Sequence, residues 1–279
     1  MPELPEVETI RRGLEPILVG RRIEHVAVVH PRSVRRQRSG PEGFVRELDG
    51  ATITAARRRG KFLWFPLDGG RRALLAHLGM SGQFRWNRPT DPVRPHTRVV
   101  LVLDDRSELR FLDQRMFGGL AVVDTVDGVP EPVLHIGLDV LDPDFDLLQA
   151  GRRLRAKRST LKRSLLDQTL VSGIGNIYAD ETLWRLRRHP ETPTASLGPV
   201  QATRVWRTVT DVLTEAIAQG GTSFDALYVH VNGESGYFDR SLDAYGREGL
   251  PCRRCGTPMV REQFTNRSSF RCPRCQRLR

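Results

Sequence analysis

The first residues of the chain, Met1, Pro2 and Glu3, place two groups side by side that can do covalent chemistry. Removal of the initiator methionine would leave Pro2 with a secondary amine at the start of the chain. An α-amino group titrates at about pH 8, so a sizeable fraction of it is an unprotonated nucleophile at neutral pH. The carboxyl group of Glu3 could supply the acid–base step that such a nucleophile needs.

The residues that follow predict a helix that would hold Pro2 in a fixed place. Pro5 suits a first helical position, and Glu6 suits the positive end of the helix dipole. Apolar residues at helical spacing mark one face of this segment: Val7, Ile10 and Leu14. A simple helix start explains these residues as well as a catalytic terminus does, so other features must decide between the two interpretations.

Lysine is rare in this chain, which makes its positions informative. Of 44 basic residues only three are lysines, namely Lys61, Lys157 and Lys162. Arginine does not lose its proton in proteins and lysine can, so a site that needs a titratable amine would resist replacement by arginine. Lys61 is therefore a candidate for acid–base chemistry, with chance retention as the open alternative for each lysine.

All four cysteines lie near the end of the chain, as Cys252-x2-Cys255 and Cys272-x2-Cys275 with 16 residues between the pairs. This spacing is typical of a four-thiolate zinc site on a β-hairpin. Two disulfides are the alternative, and a reducing cytosol disfavours them. Because four protein thiolates leave no coordination position open, we predict one structural Zn²⁺ and no catalysis by the metal.

The charge of the chain points to a polyanionic partner. The formal net charge is +11, and residues 247–279 hold nine arginines against two glutamates. Within this segment Arg267 would lie near the tip of the cysteine hairpin, where a guanidinium group can grip a phosphate. A merely solvated basic loop is the competing interpretation.

Length and composition predict two domains with a small appendage, because 279 residues with 39% hydrophobic content can bury a real core. No apolar run reaches membrane-spanning length, and the start of the chain lacks a secretory signal pattern. We therefore expect a cytoplasmic protein without a membrane partner.

Short β-rich runs between turn signals predict an antiparallel sandwich or barrel in the first half of the chain, at residues 23–29, 62–65, 73–78, 98–103, 109–112 and 120–123. Residues 128–146 are rich in Pro, Gly and Asp and predict a linker. Helices are predicted after it, at residues 161–166, 177–186 and 199–219. Residues 222–245 predict an irregular loop that could act as a lid over a bound substrate.

Several segments together closely resemble bacterial formamidopyrimidine-DNA glycosylases, nearly end to end. They are Pro2-Glu3-Leu4-Pro5-Glu6, Arg59-Gly60-Lys61, His77-Leu78-Gly79-Met80-Ser81-Gly82, Gly173-Ile174-Gly175-Asn176-Ile177-Tyr178 and the four-cysteine segment. The resemblance implies an α+β fold with an N-terminal catalytic β-sandwich domain and flanking helices (residues 1–133) and a hinge (134–151). A helical helix-two-turn-helix DNA-binding domain with a lesion-capping loop (152–244) and a C-terminal zinc-finger β-hairpin (245–279) would follow.

The resemblance also implies a function in base excision repair. A DNA glycosylase and abasic-site lyase would excise oxidised purines, chiefly 8-oxoguanine and formamidopyrimidines, from double-stranded DNA and then cut the strand by β,δ-elimination. A monomer is expected, because one catalytic terminus suffices for a single lesion and the sequence shows no heptad pattern. In this chemistry the Pro2 nitrogen attacks the anomeric carbon of the sugar, and Glu3 protonates the ring oxygen. Lys61 is the proton donor in β-elimination, Arg267 is assigned to δ-elimination, and Glu6 is expected to orient water for the final hydrolysis.

Further residues match positions at which this family contacts DNA. Three match the side chains that the family inserts into the duplex when the damaged base is flipped out: Met80, Arg115 and Phe117. Three others match contacts to the DNA backbone: His96, Lys157 and Asn176. The chain has Asp113-Gln114-Arg115-Met116-Phe117-Gly118 where many relatives have Asp-Pro-Arg-Arg-Phe-Gly. The loss of the second arginine is expected to weaken phosphate contact or to relax the choice of opposite base.

Two alternatives stay open on the sequence alone. Endonuclease VIII-like glycosylases use the same amine chemistry on oxidised pyrimidines, but they usually carry Gly where this chain has Leu4. A non-catalytic zinc-ribbon DNA-binding protein, kept as a damage sensor, is the other alternative. The presence of Pro2, Glu3 and Lys61 argues against a sensor.

Overall fold

The structure is a computed structural model, and it describes residues 2–222 and 242–278. These residues form two compact units. The first unit runs up to His135 and includes the chain again from Gly220, whereas the second holds Ile136–Gln219 and the C-terminal segment from Leu242. Most of the lid predicted at residues 222–245 lies outside the described residues.

The first unit begins with helix α1, Leu4–Leu18, which confirms the predicted N-terminal helix. Its buried face follows the predicted spacing and extends one turn further, with Leu4, Val7, Ile10, Leu14 and Leu18 all in the core. A second helix of this unit, α2, spans Gly40–Leu48.

Two antiparallel sheets form the body of the first unit. One has the strand order β1 (Ile23–Val28), β6 (Thr97–Leu103), β7 (Glu108–Asp113) and β5 (Gly82–Asn87). The other has the order β2 (Arg57–Arg59), β3 (Phe62–Leu67), β4 (Arg72–His77), β8 (Gly119–Val126) and β9 (Val129–Pro130).

The two sheets share one hydrophobic core, which confirms the predicted sandwich. Along β6 the residues Val99, Leu101 and Leu103 are buried and alternate with half-buried ones, as expected for a strand with one face on a core. Phe65 on β3 meets Phe84 on β5 edge to face, with ring centroids 6.1 Å apart.

The second unit is helical and ends in a hairpin. Its helices are α3 (Leu147–Ala156), α4 (Leu161–Leu165), α5 (Asn176–Leu186) and α6 (Pro199–Ala218), and α6 packs against both α3 and α5. Strands β10 (Val260–Phe264) and β11 (Arg267–Arg271) pair in an antiparallel hairpin. None of the helices in the two described stretches combines the length and the apolar character that crossing a bilayer requires.

Five elements were not predicted: β2, β5, β9, α2 and α3. Helix α3 starts inside the segment expected to be a hinge, where Asp146 caps it by accepting hydrogen bonds from the backbone N–H of Leu148 and Gln149, both at 2.9 Å. Helix α2 opens with Gly-Pro-Glu-Gly, which resembles a turn, yet it buries Phe44 and Leu48. Tertiary burial therefore outweighs local propensity at α2, whereas a local N-cap starts α3.

Candidate active site and metal centre

The start of the chain is fixed in the first unit. Pro2 and Glu3 are both buried, and α1 begins at the next residue. The backbone N–H of Glu3 donates to Glu6 Oε2 at 2.8 Å. The residue proposed as nucleophile and its neighbouring carboxyl group are thus held by the first turn of the helix.

Glu6 ties this first turn to the chain that follows α6. Its Oε1 accepts from the backbone N–H of Thr222 at 2.8 Å and from Thr222 Oγ1 at 3.0 Å. Gly221, at φ +80°, sits so close that an added Cβ would lie 2.8 Å from Glu6 Oε1. Both carboxylate oxygens therefore have protein donors, and Glu6 bridges two segments of the first unit. The orientation of water by Glu6 stays a prediction.

Glu8 forms a second link between α1 and the rest of the first unit. Its buried carboxylate accepts from Arg11 Nε at 3.0 Å, from Arg12 Nε at 2.8 Å and from Arg58 Nε at 3.0 Å. Burial alone would raise the pKa of Glu8, but these arginines outweigh burial and lower the pKa to about 2. The carboxylate is therefore charged at any physiological pH.

Arg58 connects Glu8 of α1 to the turn that contains Lys61. Its Nη1 donates to the carbonyl oxygen of Gly60 at 3.2 Å, and the strand pairing of Arg59 with Phe62 makes Gly60 and Lys61 a two-residue hairpin turn. Helix α1 also packs against β2 and β3, the strands on either side of this turn. The predicted acid–base residue is thus anchored to the same helix that anchors Pro2.

His77 lies beside this turn and is neutral. Its ring is 4.9 Å from the ring of Phe62, and its Nδ1 accepts from the backbone N–H of Gly79 at 3.2 Å. Burial, followed by the charges of Arg36 and Lys61, lowers the pKa of His77 to about 4. An unprotonated Nδ1 is what the Gly79 contact requires.

Met80, Arg115 and Phe117, predicted to enter the duplex, lie on two adjoining loops of the first unit. Met80 is 41% exposed and Phe117 is 50% exposed. Arg115 Nη1 lies 3.9 Å from Met80 Sδ. The structure therefore brings these three residues together at the surface.

Ser81 and Asp113 hold the two loops against each other. The Ser81 hydroxyl donates to Asp113 Oδ1 at 2.5 Å and accepts from the backbone N–H of Arg115 at 2.9 Å. The other oxygen of the fully buried Asp113 accepts from the backbone N–H of Gly118 at 2.8 Å. The exposed side chains thus stand on a rigid, hydrogen-bonded base.

His96 belongs to the same neighbourhood. Its carbonyl oxygen accepts from the backbone N–H of Asp113 at 3.0 Å, and its ring Nδ1 lies 3.2 Å from Arg98 Nη2. Arg98 Nε in turn donates to the carbonyl oxygen of Asp113 at 2.9 Å. The predicted backbone contact at His96 therefore lies next to the base of the two loops.

In the second unit, Asn176 and Arg267 lie close together. Asn176 opens α5, and its Nδ2 donates to the carbonyl oxygen of Ser268 at 2.8 Å. Arg267 is exposed at the start of β11, beside the turn of the hairpin. Lys157, in contrast, already pairs with Asp167.

The four cysteines form a compact cluster. Their sulfur atoms all lie within 4.8 Å of one another, and Cys255 Sγ is 3.5 Å from Cys272 Sγ and 3.4 Å from Cys275 Sγ. A tetrahedral ion with Zn–S bonds of about 2.3 Å separates its sulfurs by about 3.8 Å. The cluster therefore fits one zinc ion, with no position left for water or substrate.

Two buried acids of α5 attach the C-terminal segment to the helices of the second unit. Asp180 pairs with Lys162 at 2.6 Å and accepts from Ser269 Oγ at 3.0 Å and from the backbone N–H of Phe270 at 2.9 Å. The neighbouring Glu181 accepts three backbone hydrogen bonds, from Asp243, Ala244 and Tyr245. The hairpin that carries Arg267 is thereby fixed relative to Asn176.

The supporting residues of the site were not predicted from the sequence. Arg58 pairs with Glu8 across 50 residues of the chain, and Ser81 with Asp113 across 32 residues, so no local spacing identifies these links. The one available signal was their occurrence inside or beside the recognised motifs.

Comparisons with known proteins agree with this geometry. Residues 1–120 match the family model of the formamidopyrimidine-DNA glycosylase N-terminal domain, and residues 136–226 match that of the formamidopyrimidine-DNA glycosylase H2TH domain. Residues 249–278 match the zinc finger found in FPG and IleRS. Together with the clustered thiols, this match assigns one structural zinc ion to Cys252, Cys255, Cys272 and Cys275.

Whole-chain relatives and solved structures give the same result. The chain is 56% identical to the formamidopyrimidine-DNA glycosylase of Streptomyces coelicolor over 99% of this chain and 98% of that protein. The MutM (Fpg) structure from Thermus thermophilus matches with a TM-score of 0.86 at 41% identity, over all of both chains. A structure of MutM in complex with carbocyclic 8-oxo-G containing DNA matches with a TM-score of 0.88 at 34% identity, over 99% of this chain and 100% of that one. This chain therefore belongs to the formamidopyrimidine-DNA glycosylase family.

Proposed function

We propose that the protein is a bifunctional DNA glycosylase and abasic-site lyase of base excision repair that removes oxidised purines from double-stranded DNA. The observation that carries this proposal is the anchoring of Pro2, Glu3 and the Lys61 turn to one helix, through Glu6 and Glu8. Similar proteins have been solved with DNA that contains 8-oxo-G and with DNA that contains Fapy-dG. We extend those two substrates, 8-oxoguanine and formamidopyrimidines, to this chain.

Base extrusion is the first step. A base inside the duplex is out of reach of any side chain, and flipping it out costs a few kcal/mol. We propose that Met80 and Phe117, whose apolar side chains are already exposed, fill the gap that the extruded base leaves in the duplex. The Arg115 guanidinium group would then contact the base opposite the gap.

Base removal follows at the start of the chain. After removal of Met1, the Pro2 nitrogen donates its electron pair to C1′ of the sugar, and the C1′–N bond to the damaged base breaks with the base as leaving group. The proton that the Pro2 nitrogen then loses balances the proton that the departing base takes up. Glu3 gives a proton to the ring oxygen, so that the ring opens and a cationic iminium forms between Pro2 and C1′. A secondary amine reaches this cation without a further proton, which explains the use of proline.

Strand cleavage uses the iminium as an electron sink. Loss of a proton from C2′ expels the 3′ phosphate, and loss of a proton from C4′ in a second elimination expels the 5′ phosphate. We assign proton transfer in the first elimination to Lys61 and stabilisation of the departing phosphate in the second to Arg267. Water then releases the sugar remnant from Pro2.

The remaining residues position the DNA. We assign phosphate contacts to His96 and Asn176, and to Lys157 once it exchanges Asp167 for a phosphate. The zinc ion orders the hairpin that presents Arg267. We also propose the domain ranges 1–133, 134–151, 152–244 and 245–279, a monomeric state, and the bacterial cytoplasm as the location.

Cleavage of defined duplexes tests the proposal. Duplexes that carry one 8-oxoguanine opposite cytosine should be cut at the lesion with both sugar bonds broken, whereas undamaged duplexes should stay intact. Preference for thymine glycol over 8-oxoguanine would favour the pyrimidine-specific relatives and overturn the substrate assignment. Binding without cleavage would favour a damage sensor.

A further inference from the structure

Arg35 grips the loop that carries Arg115 and Phe117. Its Nη1 donates to the carbonyl oxygen of Gly118 at 2.7 Å, and its Nη2 donates to that of Phe117 at 3.0 Å. The Met116 carbonyl oxygen lies 3.4 Å from Nη1 as well. One guanidinium group therefore spans three successive carbonyl groups of this loop.

The same guanidinium group connects the loop to a separate part of the first unit. Arg35 Nη1 also lies 2.9 Å from the carbonyl oxygen of Arg32, within the short helical turn Pro31–Val34. This turn packs against β6 and β8 of the sandwich. Arg35 thus links the loop to this turn, in addition to the hydrogen bonds that the loop makes with Asp113.

The loop backbone needs such support. Met116 has φ +53°, a left-handed conformation that non-glycine residues adopt only at a cost. Gly79, at φ +60° on the neighbouring loop, approaches so closely that an added Cβ would lie 2.4 Å from the Phe117 carbonyl carbon and the Gly118 nitrogen. A backbone this crowded and strained keeps one conformation only while its contacts hold it.

We infer that Arg35 is a positioning residue for base extrusion. It holds the loop in one conformation before DNA binds, so that the insertion of Phe117 does not have to order the loop. The inference rests on the proposed function. An unordered loop would have to give up its freedom at the moment of insertion, and that loss would be subtracted from the free energy available for flipping the base.

A direct phosphate contact is the competing role for Arg35, because three other arginines lie nearby in the chain: Arg32, Arg36 and Arg38. The two roles differ in what they predict. A phosphate contact strengthens binding to every duplex alike, whereas a pre-ordered loop matters most where a stacked base must be extruded.

The experiment compares two substrates under single-turnover conditions. One duplex carries 8-oxoguanine opposite cytosine, and the other carries a preformed abasic site at the same position, so it has no base to extrude. Arg35→Met should slow cleavage of the first by about tenfold or more, equivalent to ~1.4 kcal/mol, and change cleavage of the second by less than about twofold. Arg38→Met is the matched control, because Arg38 is highly exposed and only pairs weakly with Glu131 at 3.5 Å. It should change neither rate.

Equal losses on both duplexes, or no loss on either, would overturn the inference. A second measurement, made without DNA, tests the role of Arg35 even if Arg35→Met misfolds or the wild type does not cut 8-oxoguanine. Amide hydrogen exchange at residues 115–118 should rise in Arg35→Lys, while β6 and β7 stay protected. Unchanged exchange in that loop would contradict the role of Arg35 by itself, whereas an inactive wild type would contradict only the proposed function.

Discussion

Replacement of Glu8 by glutamine should reveal how strongly helix α1 is held to the Lys61 turn. The variant keeps the size of the side chain and one acceptor oxygen but removes the charge that faces Arg11, Arg12 and Arg58. Arg58 has a side chain that is only 8% exposed, so in the variant its charge would lose the carboxylate of Glu8 in a largely buried place.

The magnitude follows from the pKa of Glu8. The difference between 4.5 in a solvated chain and about 2 in the folded protein corresponds to ~3 kcal/mol, at about 1.4 kcal/mol for each pKa unit. Because the folded state lowers this pKa, the stabilisation is complete above about pH 4.5 and is lost as the pH falls toward about 2. The difference in the free energy of unfolding between wild type and Glu8→Gln should therefore be constant from pH 7 to 5 and fall to roughly half near pH 3.

Urea unfolding followed by hydrogen exchange in peptides from α1 and β3 would report this difference for the first unit alone. Glu15→Gln is the matched control, because Glu15 lies on the same helix, pairs with Arg11 at 3.0 Å and has a half-exposed side chain. It should cost less than about 0.5 kcal/mol. A Glu8→Gln variant that is no less stable than Glu15→Gln at pH 7, or whose deficit does not shrink below pH 4.5, would refute the reasoning.

Three further predictions concern the other links of the site. Glu6→Gln places an amide N–H where a carboxylate oxygen of Glu6 now accepts a hydrogen bond. Excision of 8-oxoguanine in single-turnover assays should therefore slow by about tenfold, equivalent to ~1.4 kcal/mol. A rate equal to wild type would mean that the Thr222 link is dispensable. Gly79→Ala places a Cβ 2.4 Å from backbone atoms of the neighbouring loop and should lower the rate of excision by more than about tenfold. The control Gly69→Ala, whose Cβ meets nothing within 4 Å, should leave the rate unchanged. Similar rates for the two variants would show that the close approach has no role. Asp180→Asn removes the negative charge 2.6 Å from the fully buried Lys162, so it should destabilise the second unit by about 3–5 kcal/mol and speed the loss of zinc to a chelator. Asp211→Asn on the exposed face of α6 should do neither, and equal chelation rates would disprove the coupling.

The parts of the fold that follow local patterns could be predicted from the sequence. Strand β6 alternates buried and half-buried residues, and α1 repeats its apolar residues at helical spacing. Strand β2 could not be predicted, because Arg57, Arg58 and Arg59 in succession contradict the usual composition of a strand. Glu8, distant in sequence, supplies the charge that lets Arg58 be buried there.

Motifs predict which residues would touch DNA, whereas no motif identifies the residues that hold them. Arg35 lies 82 residues from Phe117 along the chain, and Glu6 lies 216 residues from Thr222. Such contacts depend on the packing of the whole unit and leave no spacing in the sequence. The strain at Met116 is likewise visible only in the backbone conformation.

A lysine in this arginine-rich chain can have a role other than proton transfer. Lys162 is fully buried and lies 2.6 Å from Asp180, with the ring of Phe264 5.0 Å from its ammonium group. A compact ammonium group fits this buried place, where a planar guanidinium group would need more room. Retention of a lysine in an arginine-rich chain therefore identifies special positions, but the special feature can be packing as well as proton transfer.

Mapping of the covalent enzyme–DNA adduct tests the central claim most directly. Borohydride added during reaction with an 8-oxoguanine duplex should trap the iminium, and digestion with trypsin should place the sugar remnant on the peptide that begins at Pro2 and ends at Arg11. An adduct on Lys61, or active enzyme that still carries Met1 and yields no adduct, would contradict the account.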